Sequence, residues 1–268
     1  MRLAGIAAIG ALLLPLAATA QSHPDWSTLV AAHVKVPAYI TKAMSDPARV
    51  SHDKNNVMQD DAVRQMAAVL AFSGVKPGDT VLELAPGTGY WTSVFSLIVG
   101  PKGHVYQMWP KEWTKFNSKD LDQWRTLAKT AHYANVSPMQ EPLTRVTSPR
   151  KVDIVFTDDN YHDFHDPFSG HVDIHRLDKQ VYDALKPGGV FVIVDHIAPA
   201  ASGISDTNTL HRIDPAVVKR EVESAGFVFD GSSDALLNPK DPLTIKIFDP
   251  AVRGHTSQFI YRFKKPVK

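Results

Sequence analysis

The chain has 268 residues, of which 44% are hydrophobic and 21% are charged, and it contains no cysteine. This composition is typical of a globular protein, and it excludes a disordered chain, a collagen, a coiled coil and a protein with several membrane spans. The 29 basic and 28 acidic residues give a formal net charge of +1, which argues against nucleic-acid binding through a basic face. Without cysteine, the chain can form neither disulfides nor a thiol nucleophile.

Residues 1–20 have the pattern of a cleavable secretory signal peptide. Arg2 provides a short positive region, residues 3–14 are apolar, and residues 18–20 read Ala-Thr-Ala, a small-residue cleavage site. The alternative is a buried N-terminal helix, since the apolar run is too short for a membrane span. We expect cleavage after Ala20, a periplasmic or secreted location, and no stable membrane association after cleavage.

Residues 21–75 are predicted to form an N-terminal helical extension. One helix is expected over 25–36, where apolar residues recur at helical spacing and Pro37 ends the run. A second helix is expected over 60–72, and the polar stretch over 46–56 is expected to be a loop.

From residue 80 onward, short apolar runs alternate with amphipathic stretches. Strands are predicted over 81–84, 103–108, 143–146, 152–156, 190–194, 227–230 and 258–263, and helices over 90–99, 112–133, 172–185 and 215–225. This alternation predicts an α/β fold in which helices cover both faces of a mainly parallel sheet. We expect residues 76–268 to form one domain.

The sharpest local signal is VLELAPGTGYWT, over residues 81–92, in which a buried strand runs through a glycine turn into a helix. Gly87 and Gly89 allow the backbone to approach a ligand closely, and the start of the helix offers free N–H groups. The segment matches neither the dinucleotide fingerprint nor the P-loop. Taken alone, it could be a tight strand–helix turn without a ligand.

Two later segments extend the pattern: VDIVFTDDNYHD over residues 152–163 and LKPGGVFVIVDH over residues 185–196. In this order, the three segments resemble the class I S-adenosylmethionine-dependent methyltransferases. The stretches YHDF, VDH, LHRID and AGF further resemble a group of exported bacterial predicted methyltransferases. The resemblance covers about residues 76–268 and implies a Rossmann-like seven-stranded sheet, mostly parallel, with an antiparallel last strand.

The resemblance implies S-adenosyl-L-methionine as cofactor, bound outside the carboxyl ends of the strands. The first segment would line its methionine and ribose, and Asp158 would border adenine and substrate. The family commonly ends its second strand with an acidic residue that binds the ribose, whereas this strand reads VYQMWP, so Gln107 or Glu112 is the candidate replacement. The expected cofactor-binding residues are Glu83, Ala85, Pro86, Gly87, Gly89, Tyr90, Gln107 and Asp158.

Methyl transfer requires an acceptor that is held in line with the methyl group and is often deprotonated. Polar segments over 158–166, 195–196 and 211–214 are expected to meet at the same sheet edge. Histidine can act as a general base near neutral pH, and arginine can pair with a substrate carboxylate or with Asp195. The catalytic candidates are Tyr161, His162, Asp163, His196, His211 and Arg212. The alternatives are structural: a solvated loop, a capping histidine, or an Arg–Asp bridge that only orders a loop.

The same segments could form a metal site with nitrogen and oxygen ligands, but neither the HExxH nor the EF-hand spacing is present. No metal is therefore expected. Trp91 and Trp109 could flank an adenine, although most aromatic residues belong to the core.

The sequence thus predicts an exported methyltransferase for a small-molecule acceptor. Two alternatives stay open. The stretch over 75–106 is also similar to isoaspartate-repair enzymes, which would make the protein a carboxyl methyltransferase. The other alternative is a non-catalytic protein that binds an adenosyl ligand, because an exported protein has no obvious supply of a cytoplasmic cofactor.

Overall fold

A computed structural model of the chain describes residues 35–267. The predicted signal peptide and almost all of the predicted helix over 25–36 lie outside the described residues. The strands are β1 (Thr80–Leu84), β2 (His104–Pro110), β3 (Val136–Glu141), β4 (Val152–Asp158), β5 (Leu185–His196), β6 (Val228–Ser233) and β7 (Gln258–Lys264). The helices are α1 (Ala38–Met44), α2 (Met66–Ser73), α3 (Tyr90–Val99), α4 (Thr114–Leu127), α5 (Ile174–Ala184), α6 (Thr207–Leu210) and α7 (Pro215–Ser224).

All seven strands form one sheet in the order β3-β2-β1-β4-β5-β7-β6. Neighbours from β3 to β5 pair in parallel, whereas β7 runs antiparallel to both β5 and β6. The expected seven-stranded, mostly parallel sheet with an antiparallel last strand is confirmed. The chain leaves β1 toward β2 on one side and returns as β4 on the other, so the switch point, where ligands bind in such sheets, lies between β1 and β4.

The central strand β1 is buried along its whole length, as expected for a parallel strand with helices on both faces. Its side chains alternate between two apolar layers. Leu82 belongs to the layer that contains Val181 of α5 and Val222 of α7. Val81 belongs to the opposite layer, together with Phe95 of α3. The alternation therefore fixes which residues of β1 face each set of helices.

The predicted extension shares the second apolar layer with the sheet. Ile40 of α1 and Leu70 of α2 lie in the same buried cluster as Phe95. Between these helices, the chain passes over the glycine turn, where the Ser51 hydroxyl donates to the carbonyl of Thr88 at 2.6 Å. No helix within residues 35–267 combines the length and apolar character needed to cross a bilayer.

Several predicted boundaries are wrong. The third strand is β3, not 143–146; the buried Leu143 and Val146 lie in an irregular segment, and their burial imitates a strand pattern. The helix predicted over 112–133 is regular only within α4, and the helix predicted over 60–72 begins at Met66. Pro37 precedes a helix, α1, because proline is well tolerated where a helix begins.

Candidate active site

The turn between β1 and α3 has left-handed backbone at three positions: Ala85 (φ 53°), Gly87 (φ 57°) and Gly89 (φ 79°). Gly87 is exposed, and no other atom lies within 4 Å of the position that a Cβ would occupy. At Gly89, by contrast, a Cβ would lie 2.0 Å from Nε1 of Trp124. Gly89 is thus required by internal packing, whereas Gly87 leaves the backbone open to a ligand.

Beneath this turn lies a buried polar group on the inner face of α3. The Thr92 hydroxyl donates to the Glu83 carboxylate and accepts from Gln107 Nε2 at 2.7 Å. Burial raises the pKa of Glu83 to about 8, although the hydrogen bond from Thr92 opposes this shift. The carboxyl is therefore largely protonated at neutral pH.

Both candidate ribose ligands, Gln107 and Glu112, form hydrogen bonds to other residues of the protein. Gln107 is fully buried, and its Oε1 accepts from Nε1 of the equally buried Trp109 at 3.3 Å, so both amide atoms are used in the core. The Glu112 carboxylate accepts from the backbone N–H of Leu143 at 3.1 Å. The end of β2 thus carries a buried indole at Trp109, where the family commonly has an acidic residue.

At the end of β4, two carboxylates that are 12% and 13% exposed share one buried arginine. Arg64 pairs with Asp158, and its NH1 lies 2.9 Å from Asp159 Oδ2. Trp91 Nε1 also donates to Asp158 at 2.8 Å, which leaves Asp158 Oδ1 buried without a hydrogen bond. Burial raises the pKa of Asp158 to about 7 against the opposing charge of Arg64. No local pattern around Arg64 signals its burial, and sequence reasoning missed it.

The sequence of this chain is similar to the sequences of known methyltransferases. The sequence model of the family described as Protein-L-isoaspartate(D-aspartate) O-methyltransferase matches residues 29–114. The ubiquinone/menaquinone biosynthesis C-methyltransferase UbiE of Vibrio cholerae is 29% identical over 146 residues, which are 52% of this chain and 50% of that protein. The chain therefore spans about half the length of the curated relatives it matches.

Solved structures match more of the chain. A SAM-dependent methyltransferase from Aquifex aeolicus has a TM-score of 0.52 at 17% identity and covers 84% of this chain and 98% of its own. The [4+2]-cyclase SpnF has a TM-score of 0.56 at 16% identity, and the match covers 86% of this chain and 93% of the cyclase. This chain has the class I methyltransferase fold. A cyclase among the structures with this fold illustrates that the fold alone does not fix the reaction.

In this methyltransferase fold, the polar segments after β4 and β5 meet as expected. The imidazole Nδ1 of His162 lies 2.7 Å from Asp195 Oδ1, and its Nε2 lies 3.0 Å from Asp163 Oδ1 and 3.3 Å from His211 Nδ1. Burial disfavours a charged His162, but the facing carboxylates of Asp195 and Asp163 outweigh it and raise the pKa of His162 well above its usual range. Three of the six catalytic candidates are therefore in mutual contact.

His196 lies next to this group but behaves differently. Its Nδ1 is 2.8 Å from the Thr256 hydroxyl, and its Nε2 is 3.3 Å from Asp159 Oδ1 without hydrogen-bond geometry. Burial lowers the pKa of His196 to about 3. The imidazole is therefore neutral and can exchange hydrogen bonds with a bound ligand.

Tyr161 and Arg212 do not join this group. The fully buried Tyr161 hydroxyl donates to Asp178 at 2.8 Å and contacts Glu221 at 3.3 Å, within the layer beneath α5 and α7. Arg212 is fully buried and makes a two-pronged pair with Asp241 at 2.8 and 3.0 Å. For Arg212 the structural alternative therefore applies: an Arg–Asp bridge orders the loop, with Asp241 and not Asp195 as partner.

A cavity of about 560 Å³ opens between the segment before α2, the end of β5 and the chain that joins β6 to β7. Arg64, His196 and Gln258 give it a polar floor, and Leu236 and Phe248 are among its apolar walls. None of the turn residues 85–89 lines it. Because Arg64 and Gln258 also bind the carboxylates at the end of β4, the cavity adjoins the switch point.

Proposed function

We propose that the protein is an S-adenosylmethionine-dependent methyltransferase whose acceptor is a small, partly apolar molecule. Two observations carry the proposal: the open turn at Gly87, at the switch point between β1 and β4, and the buried oxygen of Asp158 at the end of β4 that has no hydrogen bond. The relatives and structures named above support methyl transfer as the reaction. The cavity beside Arg64 supplies room for an acceptor.

The residues at the turn fit one part of the cofactor well. Gly87 leaves its backbone accessible, and Asp158 Oδ1 is a buried acceptor that a ligand donor would satisfy. The ribose end fits less well, since Trp124 donates to the carbonyl of Thr88 in the turn and the two candidate ribose ligands, Gln107 and Glu112, are engaged within the protein. We therefore expect weak cofactor binding. When bound, S-adenosylmethionine supplies an electrophilic methyl group on its sulfonium.

This chain's own residues would bind and orient the acceptor. The apolar lining of the cavity would contact an apolar part of the acceptor, and the polar lining offers a charged donor on Arg64 and a neutral imidazole on His196. The lowered pKa makes His196 a poor base, so its role is to hold an acceptor hydroxyl or amine in position. His162 and its carboxylates lie behind it, with the rings of His162 and His196 6.2 Å apart.

Binding of S-adenosylhomocysteine tests the cofactor assignment. Calorimetry and melting curves should show saturable binding that Gly87→Ala weakens. Gly170→Ala is the matched control, since Gly170 also has positive φ and open space around its Cβ position but lies outside the turn. The proposal fails if millimolar ligand leaves the melting temperature of the wild-type protein unchanged. Saturable binding without methyl loss from labelled cofactor, across all acceptors tried, would instead favour the non-catalytic alternative.

A protein carboxyl methyltransferase is the second candidate, and the family match over residues 29–114 favours it. Labelled cofactor should be incubated in parallel with an isoaspartyl peptide, its normal aspartyl counterpart, and a panel of quinols and phenols. Label on the isoaspartyl peptide alone selects the second candidate. Label on a quinol or phenol selects the first, as the likeness to a quinone-pathway C-methyltransferase suggests.

Export is a further part of the proposal and rests on the sequence pattern of residues 1–20. N-terminal sequencing of protein recovered from a bacterial periplasm should begin at Gln21. Recovery only from the cytoplasm, with Met1 or Arg2 retained, would contradict it.

A further inference from the structure

Three side chains after β4 and α6 converge on one point that the proposed function does not use. His162 and Asp163 begin the short 3-10 helix that follows β4, and His211 directly follows α6. One ligand atom from each residue lies within 4.8 Å of the other two. The convergence joins segments that are 49 residues apart in sequence.

The spacing of these atoms matches the ligand shell of a metal ion. Ligands about 2.0–2.1 Å from a tetrahedral zinc ion lie about 3.3 Å from each other. Here, His162 Nε2 lies 3.3 Å from His211 Nδ1, and Asp163 Oδ1 lies 3.0 Å from His162 Nε2 and 3.5 Å from His211 Nδ1. An ion therefore fits among the three atoms with little movement of the side chains.

Hydrogen bonds within the protein do not satisfy every polar atom of the three residues His162, Asp163 and His211. Asp163 Oδ1 is buried and has no hydrogen bond of normal geometry, even though the imidazole of His162 is close. Buried acceptors without donors call for an ion or an ordered water. The buried oxygen of Asp163 thus favours a cation at this point.

Hydrogen bonds to Asp195 also hold the imidazole of His162 in an orientation that suits a metal ligand. Its Nδ1 lies 2.7 Å from Asp195 Oδ1, and its backbone N–H donates to Asp195 Oδ2 at 2.8 Å. A carboxylate behind one ring nitrogen keeps the proton there and turns the other nitrogen toward a metal. Asp195 is itself fully buried, so the orientation of the ring is fixed.

We propose that His162 Nε2, His211 Nδ1 and Asp163 Oδ1 bind a divalent transition-metal ion. Two imidazoles and a carboxylate suit Zn²⁺ or Fe²⁺. The side chains of His211 and Asp163 are 20% and 16% exposed, so a fourth position faces solvent and can take water or a ligand oxygen. The site stands independently of the methyl-transfer proposal. The alternative is a metal-free arrangement in which a charged His162 bridges Asp195 and Asp163.

Zinc binding by the untagged protein tests the site. Chelator-treated wild-type protein should bind about one Zn²⁺ per chain, measured by elemental analysis and by competition with a chromophoric chelator. His211→Asn should weaken binding at least tenfold, since even loss of an outer-sphere partner costs about 10–100-fold. Asparagine suits this position because His211 has a φ of 54°, a left-handed conformation that asparagine tolerates.

His175→Asn is the matched control, because His175 is exposed on α5 and outside the cluster. It should bind Zn²⁺ like the wild-type protein, and the melting temperatures of both metal-free variants should show that each is folded. Co²⁺ substitution should give the visible bands of a four-coordinate site in the control and not in His211→Asn. Uptake of less than about 0.2 equivalents of both Zn²⁺ and Fe²⁺, or equal affinity in the two variants, overturns the site and supports the metal-free arrangement.

Discussion

Arg64 and Asp158 form a buried ion pair between residues that are 94 positions apart in the sequence. The arginine comes from the segment before α2, and the aspartate ends β4. The pair therefore ties the N-terminal segment to the switch point of the sheet. Arg64 also lines the cavity, and Trp91 of α3 contacts Asp158, so the pair links the cavity with the helix that follows the glycine turn.

Loss of this arginine should be costly. Arg64→Met leaves the largely buried Asp158 and Asp159 without their cation, and we expect the free energy of unfolding to fall by about 3–5 kcal/mol. Urea denaturation at neutral pH measures the change. Arg125→Met is the control, because the Arg125–Asp122 pair is largely exposed and should contribute no more than about 1 kcal/mol. Equal losses in the two variants would contradict a stabilising role for the buried pair.

The two turn glycines should respond differently to alanine. Both have positive φ, which costs an alanine about 1–2 kcal/mol. At Gly89 the added Cβ must also displace Trp124, which adds about 1–3 kcal/mol for overpacking. Gly89→Ala should thus lower stability in denaturant more than Gly87→Ala does.

A double-mutant cycle with Trp124→Leu tests whether the additional loss of stability in Gly89→Ala comes from the contact between the new Cβ and the indole of Trp124. Contacting residues typically couple by about 0.5–3 kcal/mol, so Gly89→Ala should be less harmful when Trp124 is leucine. If the stability losses of the two substitutions are strictly additive, the indole of Trp124 does not cause the additional loss at Gly89.

We expect the ionisation of Glu83 to make the stability of the protein depend on pH. Its pKa rises from 4.5 to about 8 in the folded protein because the carboxyl is buried. Between these values the folded state holds a proton that the unfolded state has released, so this group lowers stability as pH rises from 4.5 to 8. The slope is at most about 1.4 kcal/mol per pH unit.

Glu83→Gln isolates that effect, since the amide oxygen can still accept from Thr92. The stability of the variant relative to the wild-type protein should increase between pH 5 and pH 8 in urea titrations. Parallel curves for the two proteins across that range would mean that Glu83 ionises normally.

Tyr161 should affect stability and not ligand binding. Tyr161→Phe removes the hydrogen bond to the buried Asp178 and should cost about 1–3 kcal/mol. Its affinity for S-adenosylhomocysteine should match that of the wild-type protein, whereas Gly87→Ala should weaken binding. Methyl transfer abolished by Tyr161→Phe at unchanged melting temperature would restore the catalytic interpretation of this tyrosine.

The sequence determined those features that depend on local pattern. The strand–turn–helix at residues 80–99 follows from an apolar run, glycines and an apolar helix, which act over neighbouring residues. The convergence of His162 and His211 was also predictable, because parallel strands bring their carboxyl ends to one edge of the sheet. The antiparallel last strand followed from the family resemblance.

Tertiary structure alone decided which polar groups are free and which are used within the core. Arg64 inserts between two aspartates, Gln107 is enclosed by Thr92 and Trp109, and Arg212 pairs with Asp241. Each of the three outcomes depends on burial and on partners from other elements, and none of them is encoded in the residues on either side. Local sequence fixes backbone conformation and periodicity, whereas the cost of burying a charge is settled only when distant segments pack together.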